Sequence, residues 1–209
     1  MEKASKSRFT AMKFKLGDPL DTQLCAALVH EMLRCQEAFQ RFSHYAGQNI
    51  MGDRSKGTVV KSHNAYADFL RHLYEFYGGC FRRDRRTDDE IKAADLDLLL
   101  NAEVSKLLRR KCHSIRQGLG SEWENSISVY ELPVPADFAM QFRRLRNENS
   151  HASARRVAPA GGMTLLGFYK KYNLFVHLLF ESAQSMWGGP HSASSLGEIE
   201  RFDLASPET

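Results

Sequence analysis

The stretch NAYADFLRHLYEFYGG, residues 64–79, carries large apolar side chains at intervals of three or four positions. Those side chains are Tyr66, Phe69, Leu70, Leu73, Phe76 and Tyr77. This spacing is typical of one broad face of an α-helix, whereas a strand with one buried face would alternate apolar and polar residues. The pattern therefore predicts an amphipathic helix that ends at the glycine pair Gly78 and Gly79.

A longer helix is predicted upstream of this stretch. Asp18 followed by Pro19 is typical of a helix start, with the aspartate as N-cap and the proline at the first helical position. Apolar residues then recur three or four apart up to Gly47, where the helix is expected to stop. Those residues are Leu20, Leu24, Leu28, Met32, Cys35, Phe39 and Phe42. The polar, glycine-containing segment at 47–57 is interpreted as a loop.

A third helical region is predicted between residues 87 and 118. Thr87 and Glu90 have the spacing of a capping box, and Gly118 is expected to end the region. The sequence leaves open whether this helical region is kinked near Asn101. The apolar residues of this region are Ile91, Ala94, Leu98, Leu99, Ala102, Leu107, Leu108 and Ile115. The next segment, at 121–135, predicts a loop with at most one short extended piece.

Two more helices complete the predicted chain. Pro135 is expected to start the fourth helix, with Phe138, Phe142 and Leu145 facing inward. The last helix is strongly apolar. Its predicted buried side consists of Leu165, Phe168, Tyr169, Tyr172, Phe175, Val176, Leu179, Phe180 and Ala183.

These elements predict an all-α fold, a bundle of four to five helices at residues 18–187. Residues 1–17 and 188–209 lack apolar periodicity and are predicted to be tails. A chain of 209 residues is long enough for one domain with a sizeable core, and 43% of it is hydrophobic. Thirteen Phe and seven Tyr residues favour a packed globule over a disordered chain.

Several classes of site lack their usual signatures in the sequence. The four cysteines, Cys25, Cys35, Cys80 and Cys112, show neither a C-x-x-C pair nor zinc-finger spacing, so no metal site and no cofactor are expected. Phosphate-binding glycine loops and the H-E-x-x-H motif are absent as well. With no window near the roughly 20 apolar residues of a membrane span and a charged start, we expect a cytoplasmic protein without membrane contact.

Positive charge is clustered although the net charge is only +4. The clusters lie in FRRDRR at 81–86, in RRK at 109–111 and in the opening stretch. Clustered arginines can form a phosphate-facing surface when the fold brings them together. Independent solvated patches are the competing interpretation, and the sequence leaves both open.

The stretch FRRLRNENSHASARR, residues 142–156, gathers five arginines around one histidine. Cleavage of RNA without a metal needs a base for the 2′-hydroxyl, a donor to the leaving 5′-oxygen and positive charge on the phosphorane. Histidine suits the proton transfers because its unperturbed pKa lies near 6.5. Arginine suits the charge because its planar fork matches phosphate oxygens and stays ionised. Arg146 and His151 supply both kinds of group.

The spacing within this stretch suggests a division of roles. On a regular helix, Arg146 and His151 would be turned by about 140° and separated by about 7.5 Å along the axis. Asn147, four positions before the histidine, would share its face. We therefore expect Asn147 to orient the imidazole and Arg146 to reach round to the same phosphate, helped by a helix that loosens near residues 149–150. Flanking phosphates would be held by Arg71, Arg143, Arg144, Arg155 and Arg156.

A single histidine cannot easily serve as both acid and base across one bond. A twofold dimer would bring two copies of the motif to one cleft, because an isologous interface places the same residues on both sides of its axis. The aromatic last helix is a candidate contributor to that interface.

The sequence LRNENSHA, residues 145–152, resembles the Arg-x4-6-His motif of HEPN domains, which often carry a polar residue such as Asn after the arginine. The resemblance implies an all-α domain of about 100 to 150 residues. It also implies a metal-independent endoribonuclease that acts on RNA as a homodimer, as in toxin–antitoxin and antiviral defence systems. By position, the motif residues are Arg146, Asn147 and His151.

Other interpretations of the sequence stay open beside the nuclease. The alternative function is a non-catalytic HEPN-like module that binds RNA, a nucleotide or a protein partner such as an antitoxin or regulator. His72 and Glu75 are expected to be a satisfied histidine and a solvent-facing acid rather than parts of the cleft. The neighbours Cys112 and His113 show no geometry in the sequence that would favour nucleophilic catalysis.

Overall fold

The computed structural model describes residues 17–121, 124, 126–151, 162–187, 196 and 199. Its α-helices are α1 (Pro19–Ile50), α2 (Lys56–Asp84), α3 (Ala93–Arg116), α4 (Phe138–Ser150) and α5 (Leu165–Trp187). No strand occurs in this part of the chain, so the predicted all-α bundle of four to five helices is confirmed. Apart from residues 17, 196 and 199, the tails predicted at 1–17 and 188–209 lie outside the described residues.

Helices α1 and α2 form a long antiparallel hairpin. Asp18, at the start of α1, accepts a hydrogen bond of 3.1 Å from Arg86, just after the end of α2. Further along α1, Arg41 donates to Asp68 at 3.4 Å, so residue numbers rise along one helix as they fall along the other. The Asp18 carboxylate also accepts the Leu20 amide at 3.0 Å, which confirms the N-cap predicted there.

The glycines expected to end the first two helices lie inside them. α1 continues past Gly47, and α2 continues past Gly78 and Gly79. The reason at Gly79 is packing, because a Cβ atom there would lie 2.8 Å from the Cδ2 atom of buried Leu28. The absent side chain lets α1 and α2 approach closely, so this glycine marks a helix contact and not a helix end.

The loop between α1 and α2 is shorter than predicted because α1 continues to Ile50 and α2 begins at Lys56. Ser55 is the N-cap, and its side chain accepts the Thr58 amide at 3.3 Å. The Thr58 hydroxyl in turn donates to Asp53 Oδ2 at 2.6 Å. These polar contacts start the helix ten residues before Tyr66, the first residue of its predicted apolar stripe.

The core lies between the aromatic faces of the helices, and the apolar stripe predicted for α2 is buried throughout. The rings of Phe69 and Phe180 are 5.1 Å apart between centroids, which joins α2 to α5. Tyr169 is an exception to the predicted buried side of α5, since it is 37% exposed. Its ring packs edge-on against Tyr66 at the rim of the core, with a centroid distance of 5.3 Å.

The capping box predicted for α3 is wrong. Thr87 Oγ1 accepts a hydrogen bond of 3.0 Å from the Asp89 amide, which makes a local turn, and α3 begins only at Ala93. Threonine hydroxyls bond neighbouring amides in turns as readily as at helix starts, so the sequence pattern does not separate the two.

Helix α3 turns a partly polar face towards α4. The Asn101 side chain accepts from the Ala139 amide at 3.2 Å and donates to the Ala136 carbonyl at 3.1 Å. α3 runs through Asn101 as one helix, and this residue ties down the start of α4. Leu98, an apolar residue of the predicted pattern, is 69% exposed, whereas Leu100 is buried.

The fourth helix begins at Phe138, three residues after the predicted start. Phe138, Phe142 and Leu145 are buried, as predicted. In the described part of the preceding loop, a single 3-10 turn at Ile127–Val129 takes the place of the expected extended piece. Within the part of the chain that the structure describes, no helix is long and apolar enough to cross a membrane.

Alanine substitutions at the paired glycines of α2 should have opposite effects. Gly78→Ala has room, because its Cβ would lie 4.0 Å from Leu96 Cδ2, and should gain up to about 1 kcal/mol in free energy of unfolding from helix propensity. Gly79→Ala forces Leu28 to move within the core and should lose about 1 to 3 kcal/mol through overpacking. Urea unfolding measures both, and equal stability of the two variants would contradict the close-approach argument.

Candidate active site

A cleft of about 180 Å³ lies between α2, the start of α3 and the second half of α4. Its polar and charged side chains are Tyr74, Glu75 and Arg82 from α2, Glu90 from the segment before α3, and Arg143, Arg146 and Asn147 from α4. Two of the three predicted catalytic residues, Arg146 and Asn147, are therefore on its wall. His151 is not among the residues that line it.

Arg146 is held in the cleft from several sides. Its Nη2 atom donates a short hydrogen bond to Glu75 Oε1, and its Nη1 atom donates to Asn147 Oδ1 at 2.7 Å. The guanidinium carbon lies 5.8 Å from the centroid of the Tyr74 ring, within the range of a cation–π contact. The side chain remains 33% exposed, so these contacts hold the guanidinium in place without burying the whole side chain.

The Tyr74 hydroxyl adds a neutral polar group to the same region. Burial raises the pKa of Tyr74 to about 12, with a further contribution from the charge of Asp97. This hydroxyl therefore stays protonated at neutral pH. Its oxygen is buried without a hydrogen-bond partner in the described structure, and so is the Nε atom of Arg146.

The end of α4 is regular up to Ser150. Asn149 Nδ2 donates to the Leu145 carbonyl at 2.9 Å, and the Ser150 hydroxyl donates to the Arg146 carbonyl at 2.7 Å. The helix therefore ends after these residues instead of loosening at them. His151 is the C-cap residue, with extended backbone angles of φ −121° and ψ 147°, and it is exposed. Because the chain leaves the helix at His151, helical geometry does not set the direction of its imidazole.

Asn147 contacts Arg146 in the described structure. Its Oδ1 atom accepts the Arg146 Nη1 donor, so this side chain positions the guanidinium. The prediction that Asn147 orients the imidazole of His151 stays a prediction.

The described arginines that were predicted to hold phosphates are all paired with carboxylates of the same chain. Arg143 makes a two-pronged contact with Asp97, with Nε to Oδ1 at 3.0 Å and Nη2 to Oδ2 at 2.9 Å. This hydrogen bonding raises the pKa of Arg143. Arg144 donates to Glu148 at 2.8 Å. A phosphate at either arginine would compete with a carboxylate already in place.

Arg144 also packs against the segment that leads into α5. A Cβ atom at Gly162 would lie only 1.5 Å from Arg144 Nη2, so the guanidinium lies directly on the Gly162 backbone. The predicted phosphate contacts Arg155 and Arg156 lie outside the described residues.

Arg71 is on α2 but not on the wall of the cleft. It lies 3.5 Å from Asp68, and its Nη2 atom is 3.2 Å from His72 Nε2. His72 is buried, with Nδ1 at 2.6 Å from Glu31 Oε1. Because arginine only donates, His72 Nε2 accepts and Nδ1 carries the proton towards Glu31. His72 is thus a satisfied core histidine, as expected.

Glu75 is the residue of this site that the sequence interpretation missed. It was expected to face solvent, yet its carboxylate binds Arg146 across a sequence separation of 71 residues. The available signal is its position between Tyr74 and Phe76, since an acid flanked by core aromatics needs a nearby cation or donor.

The described residues contain no group of three or more His, Cys, Asp or Glu side chains that could hold a metal ion. Comparison of the chain with protein-family models, with curated proteins and with solved structures found no match. The resemblance to HEPN domains therefore rests on the Arg146 to His151 motif.

The contact between Arg146 and Glu75 should be energetically coupled. A double-mutant cycle with Arg146→Gln and Glu75→Gln should give a coupling free energy of about 1 kcal/mol in urea unfolding, because both side chains are two-thirds buried. The matched control is the pair of Arg116 and Glu131, whose side chains are 59% and 49% exposed and should couple by less than about 0.5 kcal/mol. Equal coupling in the two cycles would show that Glu75 does not hold Arg146 in solution.

Proposed function

We propose that the protein is a metal-independent endoribonuclease of the HEPN type that cleaves single-stranded RNA and leaves 2′,3′-cyclic phosphate ends. The observation that carries the proposal is the placement of one guanidinium and one imidazole. Arg146 is fixed in an open cleft, and His151 is exposed at the end of the same helix, five residues later. These are the two kinds of group that the reaction requires.

Each motif residue has a role in the proposed reaction. His151 removes the proton from the 2′-hydroxyl or donates one to the leaving 5′-oxygen, and its exposure lets an RNA strand reach it. Arg146 stabilises the negative charge of the phosphorane. Asn147 and Glu75 position the guanidinium and so reduce the reorganisation needed at the moment of reaction.

The proposal includes a homodimer and a cytoplasmic location. Acid and base act on opposite sides of the scissile bond, so a second His151 from a symmetry-related copy would supply the other proton transfer. Regulation by a protein partner, as in toxin–antitoxin or antiviral defence systems, belongs to the same proposal.

Substitutions in the motif should abolish cleavage without unfolding the protein. His151→Ala and Arg146→Ala should each reduce the cleavage rate of single-stranded RNA by roughly a hundredfold or more, since each removes a proton-transfer or charge-stabilising group. His151 is exposed, so the thermal unfolding midpoint of His151→Ala should stay close to that of the unchanged protein. The control is His44→Ala, at an exposed histidine of α1, which should cleave normally.

Product analysis and chelation complete this test. The products should carry 2′,3′-cyclic phosphate ends, and a metal chelator should leave the rate unchanged. Full activity in a pure His151→Ala sample, or loss of activity on chelation, would refute the proposed mechanism.

The pairing of the arginines with carboxylates favours a second candidate function. Arg143, Arg144 and Arg146 each bind an acid of the same chain, as is common for structural ion pairs. In that case the protein is a non-catalytic HEPN-like module that binds RNA, a nucleotide or a protein partner. Salt-dependent RNA binding without any cleavage product would support this candidate over the nuclease.

A further inference from the structure

A second concave surface lies on the other half of α3. Its volume is about 670 Å³, and it is bounded by the C-terminal half of α3 and by the chain segment at 130–134. Three basic side chains of α3 line one wall, namely Arg109, His113 and Arg116. They are four and three positions apart, so they form one row along a single helix face. The row extends about 10 Å along the axis.

The charges in this groove are compensated less than those of the candidate active site. Among the described residues, neither Arg109 nor His113 is paired with a carboxylate, and both are exposed. Arg116 lies 2.7 Å from Glu131, but both side chains are about half exposed. An exposed pair of this kind contributes little and opens readily. Arg109 is therefore the uncompensated positive charge that this groove offers to a ligand.

A structural explanation of the row accounts for only part of it. Cations stabilise the C-terminal end of a helix by interacting with the partial negative charge of its last carbonyls. That effect is confined to about the last turn, so it explains Arg116. Arg109 lies two turns before the helix end, so this effect does not explain it, and it has no carboxylate partner among the described residues.

The opposite wall of the groove is apolar except at Glu131, which pairs with Arg116. Leu132, Pro133 and Val134 line it, and Leu132 is 56% exposed. An apolar side chain at this exposure is removed from water when a flat ligand covers it. Proteins bind single-stranded nucleic acid with basic side chains along the phosphates and with side chains, most often aromatic, that receive the bases. Here Arg109 supplies a basic group, and Leu132 and Pro133 supply apolar surface for the bases.

We propose that this groove binds a segment of single-stranded RNA, with phosphates along Arg109 and His113 and bases against Leu132 and Pro133. The row of Arg109, His113 and Arg116 is longer than the roughly 3.4 Å rise per nucleotide of a stacked strand, so it can span more than one phosphate. The choice of RNA as the ligand rests on the proposed function. The groove itself is separate from the cleft at Arg146 and adds a binding surface outside the reacting groups.

Equilibrium binding of a fluorescein-labelled oligouridine to the full chain tests the groove. Arg109→Glu should weaken binding roughly tenfold or more at about 0.1 M salt, and the slope of log K against log salt should fall by about 0.7 for each phosphate that the protein no longer neutralises. The matched control is Arg54→Glu, which makes the same charge change at an exposed arginine of the loop between α1 and α2. The control should weaken binding less than twofold.

Equal weakening by Arg109→Glu and Arg54→Glu would overturn the proposal, because net charge alone would then explain binding. Failure of the unchanged protein to bind the oligouridine would overturn it too. A third overturning result is Arg109-dependent binding of poly-L-glutamate in preference to RNA, which would assign the groove to an acidic polypeptide.

The same variants separate this groove from the proposed catalytic function. His151→Ala should lose cleavage and keep RNA binding, whereas Arg109→Glu should raise KM for a long RNA and leave kcat within about twofold. A protein that binds RNA through Arg109 but cleaves none supports the groove and refutes the nuclease. If Arg109→Glu cleaves RNA with an unchanged KM, the nuclease is supported and the groove proposal is refuted.

Discussion

The fold depends on the need to satisfy the polar groups of α2, because this helix is buried along most of its length. Three polar side chains of α2, of which His72 and Tyr77 are buried, each bind a different element. His72 binds Glu31 on α1, Glu75 binds Arg146 on α4, and the Tyr77 hydroxyl donates to the Leu179 carbonyl of α5 at 2.8 Å. An unpaired buried polar group costs about 1 to 3 kcal/mol, so these contacts fix where the neighbouring helices pack.

The helices and their buried faces could be predicted from the sequence because apolar spacing reports which side of a helix meets the core. The aromatic face of α2 and the inward positions of α4 follow that rule. Local sequence signals for helix ends and caps are less reliable, because tertiary contacts decide where a helix ends or begins. Gly79 lies in a helix because Leu28 passes close to it, and Thr87 caps a turn instead of a helix. Neither contact is visible in the spacing of residues along the chain.

The candidate site, too, is predictable from the sequence only in part. Arg146 and Asn147 are neighbours in sequence, so their meeting on one wall of the cleft needed no knowledge of the fold. The partners that set the charge of this wall come from other helices, Glu75 from α2 and Asp97 from α3. A cluster of arginines in the sequence is therefore an incomplete measure of positive charge on the surface. Arg109, in contrast, has no carboxylate partner in the described part of the chain, although its cluster on α3 is the shorter one.

The pairing of Arg146 with Glu75 has a consequence for selectivity in the proposed reaction. A guanidinium that already binds a carboxylate gains little by exchanging it for a phosphodiester, which also carries one negative charge. The phosphorane carries about one charge more and competes better for the same donors. Glu75 would thereby weaken the binding of unreacted RNA more than the binding of the transition state. Such a difference in affinity is what accelerates a chemical step.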